Sequence, residues 1–502
     1  MLRFKPVLGI LGGLLMALGG FLLLPAAVGL LYGEDSWWPF LVSALIGIAG
    51  GGALWYLLPR EEDLRPREGM MIVSSAWILL SLLGALPFVL GGILDSYTDA
   101  FFETMSGFTT TGATILGGAH TPSIEELPRA FLFWRSLAHW LGGMGIIVLA
   151  LAILPLLGVG GMQLYKAEVP GPSADKLTPR VKDTAKRLWF IYTGLTVVQT
   201  LLLWPAMGLF DAINHAFATM ATGGFSTRNA SVAAYDSAYV DWVIILFMFL
   251  AGMNFALHYQ WIVRGRLGRV WKDEEFRMYV GVIGVAVILV TLAIWRPAAA
   301  LLPVDPAAET PFEEYSSLLD ALRYAAFQVV SIVTTTGFGT DDYEIWPPLG
   351  AGIIFLLFFA GGMAGSTGGG IKMVRHLLLY KNSYNEINRI IHPQAILTVR
   401  MNGRVVPRDV MRNVLSFAVL YMGTVGVGTL VMTLSGMDLL SAFGGTLSCV
   451  GNIGPAFGTL GPTENYAHIP DLGKWMLSLL MVIGRLEIFT VLSLFVPAFW
   501  RR

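Results

Sequence analysis

Four short stretches share one pattern: Thr109-Thr110-Thr111-Gly112-Ala113-Thr114, Met220-Ala221-Thr222-Gly223-Gly224-Phe225, Thr334-Thr335-Thr336-Gly337-Phe338-Gly339 and Ser448-Cys449-Val450-Gly451-Asn452-Ile453-Gly454-Pro455. Counted on Gly112, Gly223, Gly337 and Gly451 they recur every 111, 114 and 114 residues. Each closes a short apolar segment, roughly 100–116, 212–227, 321–340 and 439–459, set between two longer apolar runs. Asp99, Asp211 and Asp438 stand where an N-cap would open three of these short helices, with Asp320 further upstream in the third. A lone Thr-Gly pair reads as helix packing. Four at a near-constant period read as an internal repeat.

Working outward, the 502 residues are 55% hydrophobic and 13% charged, with a mean hydropathy of +0.65. A soluble domain carries roughly 25% charged residues, and disorder needs high charge and few aromatics. Neither fits, so the chain is an all-α integral membrane protein. Uncharged runs long enough to cross roughly 30 Å of hydrocarbon cover 6–33, 36–59, 69–94, 136–165, 188–210, 242–263, 278–295, 345–371 and 413–437. A tenth, 475–500, is broken only by Arg485 and Glu487. The first run is too long for a signal peptide and reads as a retained span.

With both termini cytoplasmic, 26 of the 33 Lys and Arg fall on the inner side and five on the outer, which sets the orientation. The four short segments then enter from outside as re-entrant half-helices. On that side lie 21 of the 34 acidic residues, among them Glu34, Asp35, Asp95, Asp99, Asp341, Asp342 and Glu344, a field that concentrates cations. The expected plan is ten transmembrane helices: a hairpin over 1–68, then pore repeats over 69–187, 188–275, 276–407 and 408–502, each helix, re-entrant loop, helix. Half-helices around one axis point their partly negative C-terminal ends inward. Thr-Gly carbonyls beyond them can replace the hydration shell of a cation such as potassium.

On these loops and this architecture the chain resembles the Trk/Ktr/HKT superfamily of potassium transporters over essentially its whole length. The two extra N-terminal spans are similar to the Trk-type membrane subunit rather than the shorter KtrB. The resemblance implies potassium uptake across a bacterial plasma (inner) membrane, by channel-like conduction or by symport. A sodium-coupled KtrB-like cation transporter is the alternative. It implies a filter of Thr110, Thr111, Gly112; Ala221, Thr222, Gly223; Thr335, Thr336, Gly337; and Val450, Gly451, Asn452, with potassium as the transported ion and no organic cofactor. It also implies a homodimer, one pore per protomer, in the lipid bilayer, with a cytoplasmic TrkA-like nucleotide-binding regulatory subunit on the inner face.

Below the filter, Gly361, Gly362, Gly365, Gly368, Gly369 and Gly370 crowd into ten residues with Ser366 and Thr367. That many glycines do not hold a helix, and unwound backbone at membrane depth must line a cavity. The resemblance makes this stretch a movable gate, with Arg485 beside it in the pore. An intramembrane arginine is a functional hypothesis in its own right. Glu487 faces another side of the helix, and Arg135, at a span's outer end, reads as an anchor.

Other chemistries find little footing. One cysteine, Cys449, excludes an intramolecular disulfide. The seven histidines have no metal-ligand spacing, and neither G-x-S-x-G nor H-E-x-x-H occurs. An intramembrane hydrolase would rest on Ser106 and His139, which leaves four equal loops unexplained. A sodium-coupled solute carrier would show two inverted repeats. The basic stripe over 372–412 follows the positive-inside bias and does not call for nucleic acid. The chain is read as a non-enzyme.

Overall fold

The computed structural model describes residues 3–58, 65–152, 181–296 and 315–501. The N-terminal helices α1 (Phe4–Leu31) and α2 (Trp37–Leu57) form a hairpin that small residues let close tightly. A Cβ placed on Gly51 would stand 2.5 Å from the Gly12 carbonyl oxygen, and one on Gly19 would stand 2.7 Å from that of Ala44. Between the two helices Glu34 reaches across to α5 (Arg129–Ala152), accepting from the backbone N–H of Arg129 at 2.9 Å. A carboxylate there complements the positive end of the helix dipole. Phe40 of α2 packs on Phe131 with ring centroids 4.8 Å apart, fastening the hairpin to α5.

Four times the chain then runs long helix, half-helix, loop, returning helix. The long helices are α3 (Pro66–Leu90), α6 (Val181–Met207), α9 (Glu274–Ile294) and α13 (Arg408–Leu434). The half-helices are α4 (Tyr97–Phe108), α7 (Leu209–Met220), α10 (Leu318–Val333) and α14 (Leu439–Gly451). α3, α6 and α9 begin a few residues before the charge-free runs used to divide the sequence, because their charged first turns are helical too.

Two of the returning helices bend sharply. α8 (Ala238–Ala251) meets the helical segment Phe255–Val263 at a 102° bend, and α15 (Asp471–Arg485) meets Phe489–Phe495 at 113°. At the first bend Asn254 caps the new helix, accepting from Ala256 N–H at 2.8 Å. At the second, Glu487 and Ile488 take positive φ of 57° and 60°. Such residues cost about 1–3 kcal/mol each unless their surroundings over-determine them. Here an ion pair between Glu487 and Arg375 at 2.7 Å does so. The third returning segment is α11 (Pro348–Leu357), then non-helical chain over 358–372, then α12 (Met373–Ile391). Among the described residues six helices are long and apolar enough to cross a membrane, or eight if each bent pair is one span. The run 345–371 is unwound where its glycines crowd, as expected, whereas 242–263 and 475–500 carry sharp bends that apolarity does not report, because an asparagine cap and an ion pair set them. The end of the run 136–165 lies outside the described residues.

Gly51→Leu should pry α1 from α2, since overpacking costs about 1–3 kcal/mol. A drop of several degrees in the thermal midpoint of purified protein would show it; an unchanged midpoint would mean the hairpin adds nothing to stability.

Candidate functional site

The four half-helices end in one local structure. In the Schellman pattern a residue in the left-handed region follows the helix, and the next N–H bonds back five residues. Thr110, Thr222, Thr335 and Asn452 hold that position, with φ of 53°, 55°, 59° and 53°. The N–H groups of Thr111, Gly223, Thr336 and Ile453 donate to the carbonyls of Ser106, Ala218, Ser331 and Ser448 at 2.9, 2.8, 2.8 and 3.0 Å. Next come Gly112, Gly224, Gly337 and Gly454, with φ of 82°, 81°, 79° and 103°.

These glycines close a ring. A Cβ on Gly112 would lie 2.1 Å from the Gly223 carbonyl oxygen, on Gly224 2.1 Å from that of Thr336, on Gly337 2.1 Å from that of Ile453, and on Gly454 2.6 Å from that of Thr111. Each loop seats its glycine on the next loop's backbone, and the fourth returns to the first. Positive φ and contact distance both demand glycine here.

The ring shifts the register of two loops. Its glycines are 112, 224, 337 and 454, whereas matching the Thr-Gly letters selects Gly223 and Gly451. Gly223 instead makes room for His139, whose Nδ1 would lie 2.4 Å from an added Cβ. Val450 and Gly451 belong to the last turn of α14, and Ala221 caps α7. In loops one and three hydroxyls pair behind the ring, Thr109 with Thr111 and Thr334 with Thr336, both at 2.8 Å. Loop four substitutes Asn452, whose Nδ2 donates to Thr111 Oγ1 and the Met481 carbonyl, each at 3.0 Å.

Arg135 is no anchor. It is 2% exposed and lies behind loops one and two. Its Nε donates to Glu103 at 2.8 Å, Nη1 to the Ser226 carbonyl at 3.0 Å and Nη2 to Thr114 Oγ1 at 3.2 Å. Glu103, on the buried side of α4, also accepts from Ile115 N–H at 3.0 Å. Nothing in the spacing of Glu103 and Arg135 pairs them; only the fold brings α4 and α5 together. Of the aspartates proposed as caps, Asp438 alone caps its helix, accepting from Ser441 N–H at 3.1 Å. Asp99, Asp211 and Asp320 sit inside first turns and pair with Lys474, Arg228 and Arg323. Asp341 accepts from Tyr315 and Trp346. Much of the outer acidity is thus bound into the scaffold and contributes less to a free field. Over the ring lies a cavity of about 70 Å³ bordered by residues of all four loops.

Beneath the ring the glycine-rich segment fills the axis. Gly369 N–H donates to Thr335 Oγ1 at 2.6 Å, and Thr367 Oγ1 donates to the Met220 and Ala251 carbonyls at 3.0 and 3.2 Å. Added Cβ atoms on Gly368 and Gly369 would lie 2.9 Å from the Thr334 oxygen and 2.3 Å from the Gly451 oxygen, so the segment abuts the ends of α10 and α14. Arg485, 3% exposed, donates from Nη1 to the Thr367 carbonyl at 2.8 Å and from Nη2 to the Gly142 carbonyl at 3.3 Å. Glu275 of α9 accepts from Ala364 N–H at 2.7 Å and Val374 N–H at 3.1 Å, tying the segment to the start of α12; nothing in its place within a charged first turn marks it out in the sequence. Gly361, Gly362 and Gly370 make further close backbone contacts, and Gly365 packs on the Asn254 side chain.

The hydrolase reading finds no pair. Among the described residues Ser106 Oγ has no hydrogen-bond partner, while His139 Nδ1 sits 2.8 Å from the Gly107 carbonyl. Among the described residues no cluster of His, Cys, Asp and Glu could hold a metal ion.

The sequence pattern of the TrkH family, described as a cation transport protein, matches residues 40–502. The Trk system potassium uptake protein TrkH of Salmonella typhimurium is 42% identical, with each chain covered in full. The TrkG protein of the same system in Escherichia coli K12 is 37% identical over 95% of this chain and 94% of its own. The crystal structure of the potassium transporter TrkH from Vibrio parahaemolyticus superposes with a TM-score of 0.88 at 37% identity, covering all of both chains.

Arg135→Met strands the buried Glu103 carboxylate and should cost about 3–5 kcal/mol. Adding Glu103→Gln removes the stranded charge and should recover part of the loss. Thermal unfolding of the two variants decides; a double variant no more stable than Arg135→Met would show that the two side chains do not act as a pair.

Proposed function

Because this chain belongs to the TrkH family of cation transport proteins, we propose that it takes up potassium ions across a bacterial plasma membrane through the ring of four loops. The observation that carries the reading is the closed contact of Gly112, Gly224, Gly337 and Gly454 with neighbouring backbone. It supports a carbonyl-lined constriction at the ends of four helix dipoles. In this reading the filter is Thr110–Gly112, Thr222–Gly224, Thr335–Gly337 and Asn452–Gly454, with Ala221, Val450 and Gly451 as the helix ends behind it. The four units of helix, half-helix and helix are pseudo-repeats about one pore, and α1 with α2 is an added hairpin. The membrane potential supplies about 2.3 kcal/mol per charge per 100 mV, so the uptake needs no coupled ion. The full-length match, hairpin included, favours this over a KtrB-like sodium-coupled transporter.

Residues 361–370 act as the gate, and Arg485 latches them. A guanidinium stays protonated, so in a cation path it opposes passage by charge while its two carbonyl contacts hold the segment up against the filter. Both termini face the cytoplasm. α12 carries Tyr380, Ile387, Ile390 and Ile391 exposed on the inner side, which supports docking of a TrkA-like nucleotide-binding subunit there. The working unit is a homodimer with one pore in each protomer.

Gly337→Ser tests the filter: in liposomes, rubidium uptake should become more sensitive to competing sodium, while folded yield falls far less. Unchanged preference would remove Gly337 from the filter. Arg485→Ala tests the latch: uptake per folded dimer should rise several-fold, without loss of preference for potassium over sodium. A fall in that normalised uptake would make Arg485 a structural residue only.

A further inference from the structure

Away from the pore axis, α1, α3 and α5 enclose a cavity of about 350 Å³ whose lining side chains are all apolar. Its rim is Leu14 of α1, 38% exposed, and its floor is Phe108, the last residue of α4, 2% exposed. Ala76 and Trp77 of α3 form a wall, and Gly142 and Gly145 of α5 complete it. An apolar cavity of roughly 150 Å³ already stays dry and accepts a benzene-sized guest. This one is more than twice as large, with room for a longer hydrocarbon guest, and its lining lacks the two to four polar partners that a resident water needs. Left empty, its walls would forgo dispersion contacts that any hydrocarbon would supply.

We propose that this cavity is a binding site for one acyl chain of a membrane phospholipid, and that the chain bears on the latch of the glycine segment. The occupant follows from the surroundings. α1 and α3 are both long and apolar enough to cross the membrane, so the phase bathing the rim at Leu14 is lipid hydrocarbon. Among the described lining residues the indole N–H of Trp77 is the one strong side-chain donor, and no charged or hydroxyl side chain is there to hold a polar group. The consequence follows from the floor. Gly142 touches the cavity and presents its carbonyl to Arg485 Nη2. A Cβ on Gly142 would lie 1.9 Å from the Phe108 oxygen, so α5 and the end of α4 are in direct backbone contact. An acyl chain seated here supports the stretch of α5 that Arg485 grips. This second half of the proposal rests on the gating role given to Arg485 above; the first half does not.

The test uses full-length protein in vesicles of phosphatidylethanolamine and phosphatidylglycerol doped with a phosphatidylethanolamine carrying a mid-chain diazirine. After photolysis, labelling of the peptide spanning 72–80 is measured by mass spectrometry, with lipid-facing Leu45 and Ile46 of α2 as the internal reference. In Gly145→Leu the new side chain has room to start, since the nearest atoms to its Cβ are in Trp77 at 3.7 and 3.9 Å, and it extends into the cavity. Labelling at 72–80 should fall at least five-fold against the reference. Ala76→Leu fills the same space from α3 and should do likewise if the first variant folds poorly. Wild-type labelling at 72–80 no greater than at the reference, or labelling that both variants leave intact, overturns the site. Rubidium uptake by the same vesicles should change at least two-fold; lost labelling with unchanged uptake overturns the link to the latch and leaves the site standing.

Discussion

Everything in this protein is arranged around four places where one loop's backbone rests on the next with no room for a Cβ. Because Gly112 bears on Gly223, Gly224 on Thr336, Gly337 on Ile453 and Gly454 on Thr111, no loop moves without its neighbours. The same economy of side chain recurs one layer back. A Cβ on Gly142 would strike the Phe108 carbonyl at 1.9 Å, and one on Gly484 would strike that of Val450 at 2.0 Å. Returning helices therefore press against the ends of the half-helices, and the dipole ends are held by backbone rather than by adjustable side chains. Packing of this kind is what membrane interiors favour, since lipid offers no hydrophobic drive to bring helices together.

Below the ring the glycine segment is held by specific polar contacts. Thr335, Thr367, Glu275 and Arg485 account for the side-chain hydrogen bonds described above between residues 361–370 and the surrounding helices. A buried donor that loses its acceptor costs about 1–3 kcal/mol, more when charged. A displaced segment must therefore find new partners for each, in water or in protein. The Arg375–Glu487 pair stands beside this network, fixing the bend after α15 that carries Arg485 into place.

The outer charge has a plainer role than its total implies. Asp99, Asp211 and Asp320 lie in the first turns of half-helices, where a carboxylate complements the dipole; Asp99 and Asp211 pair with Lys474 and Arg228 outside their helices, and Asp320 pairs with Arg323 on its own helix, which in turn reaches Asp241 of α8. They orient the half-helices as much as they colour the potential at the mouth.

The membrane class, the four half-helices and the unwound glycine segment were all legible in the chain alone, because apolarity and glycine density act locally. Arg485 stood out for the same reason, as a charge in an apolar run. What the tertiary structure alone decided were relations between distant segments. Register of the ring is one: Gly224 and Gly454 take the places that letter-matching gives to Gly223 and Gly451, since the choice depends on which Cα meets a neighbour's carbonyl. The buried Glu103–Arg135 pair is another, and so are the bends after α8 and α15. The register, the ion pair and the bend after α15 are each set by a contact partner at least 30 residues away, of which composition and spacing carry no record, while the bend after α8 also carries a local Asn254 cap.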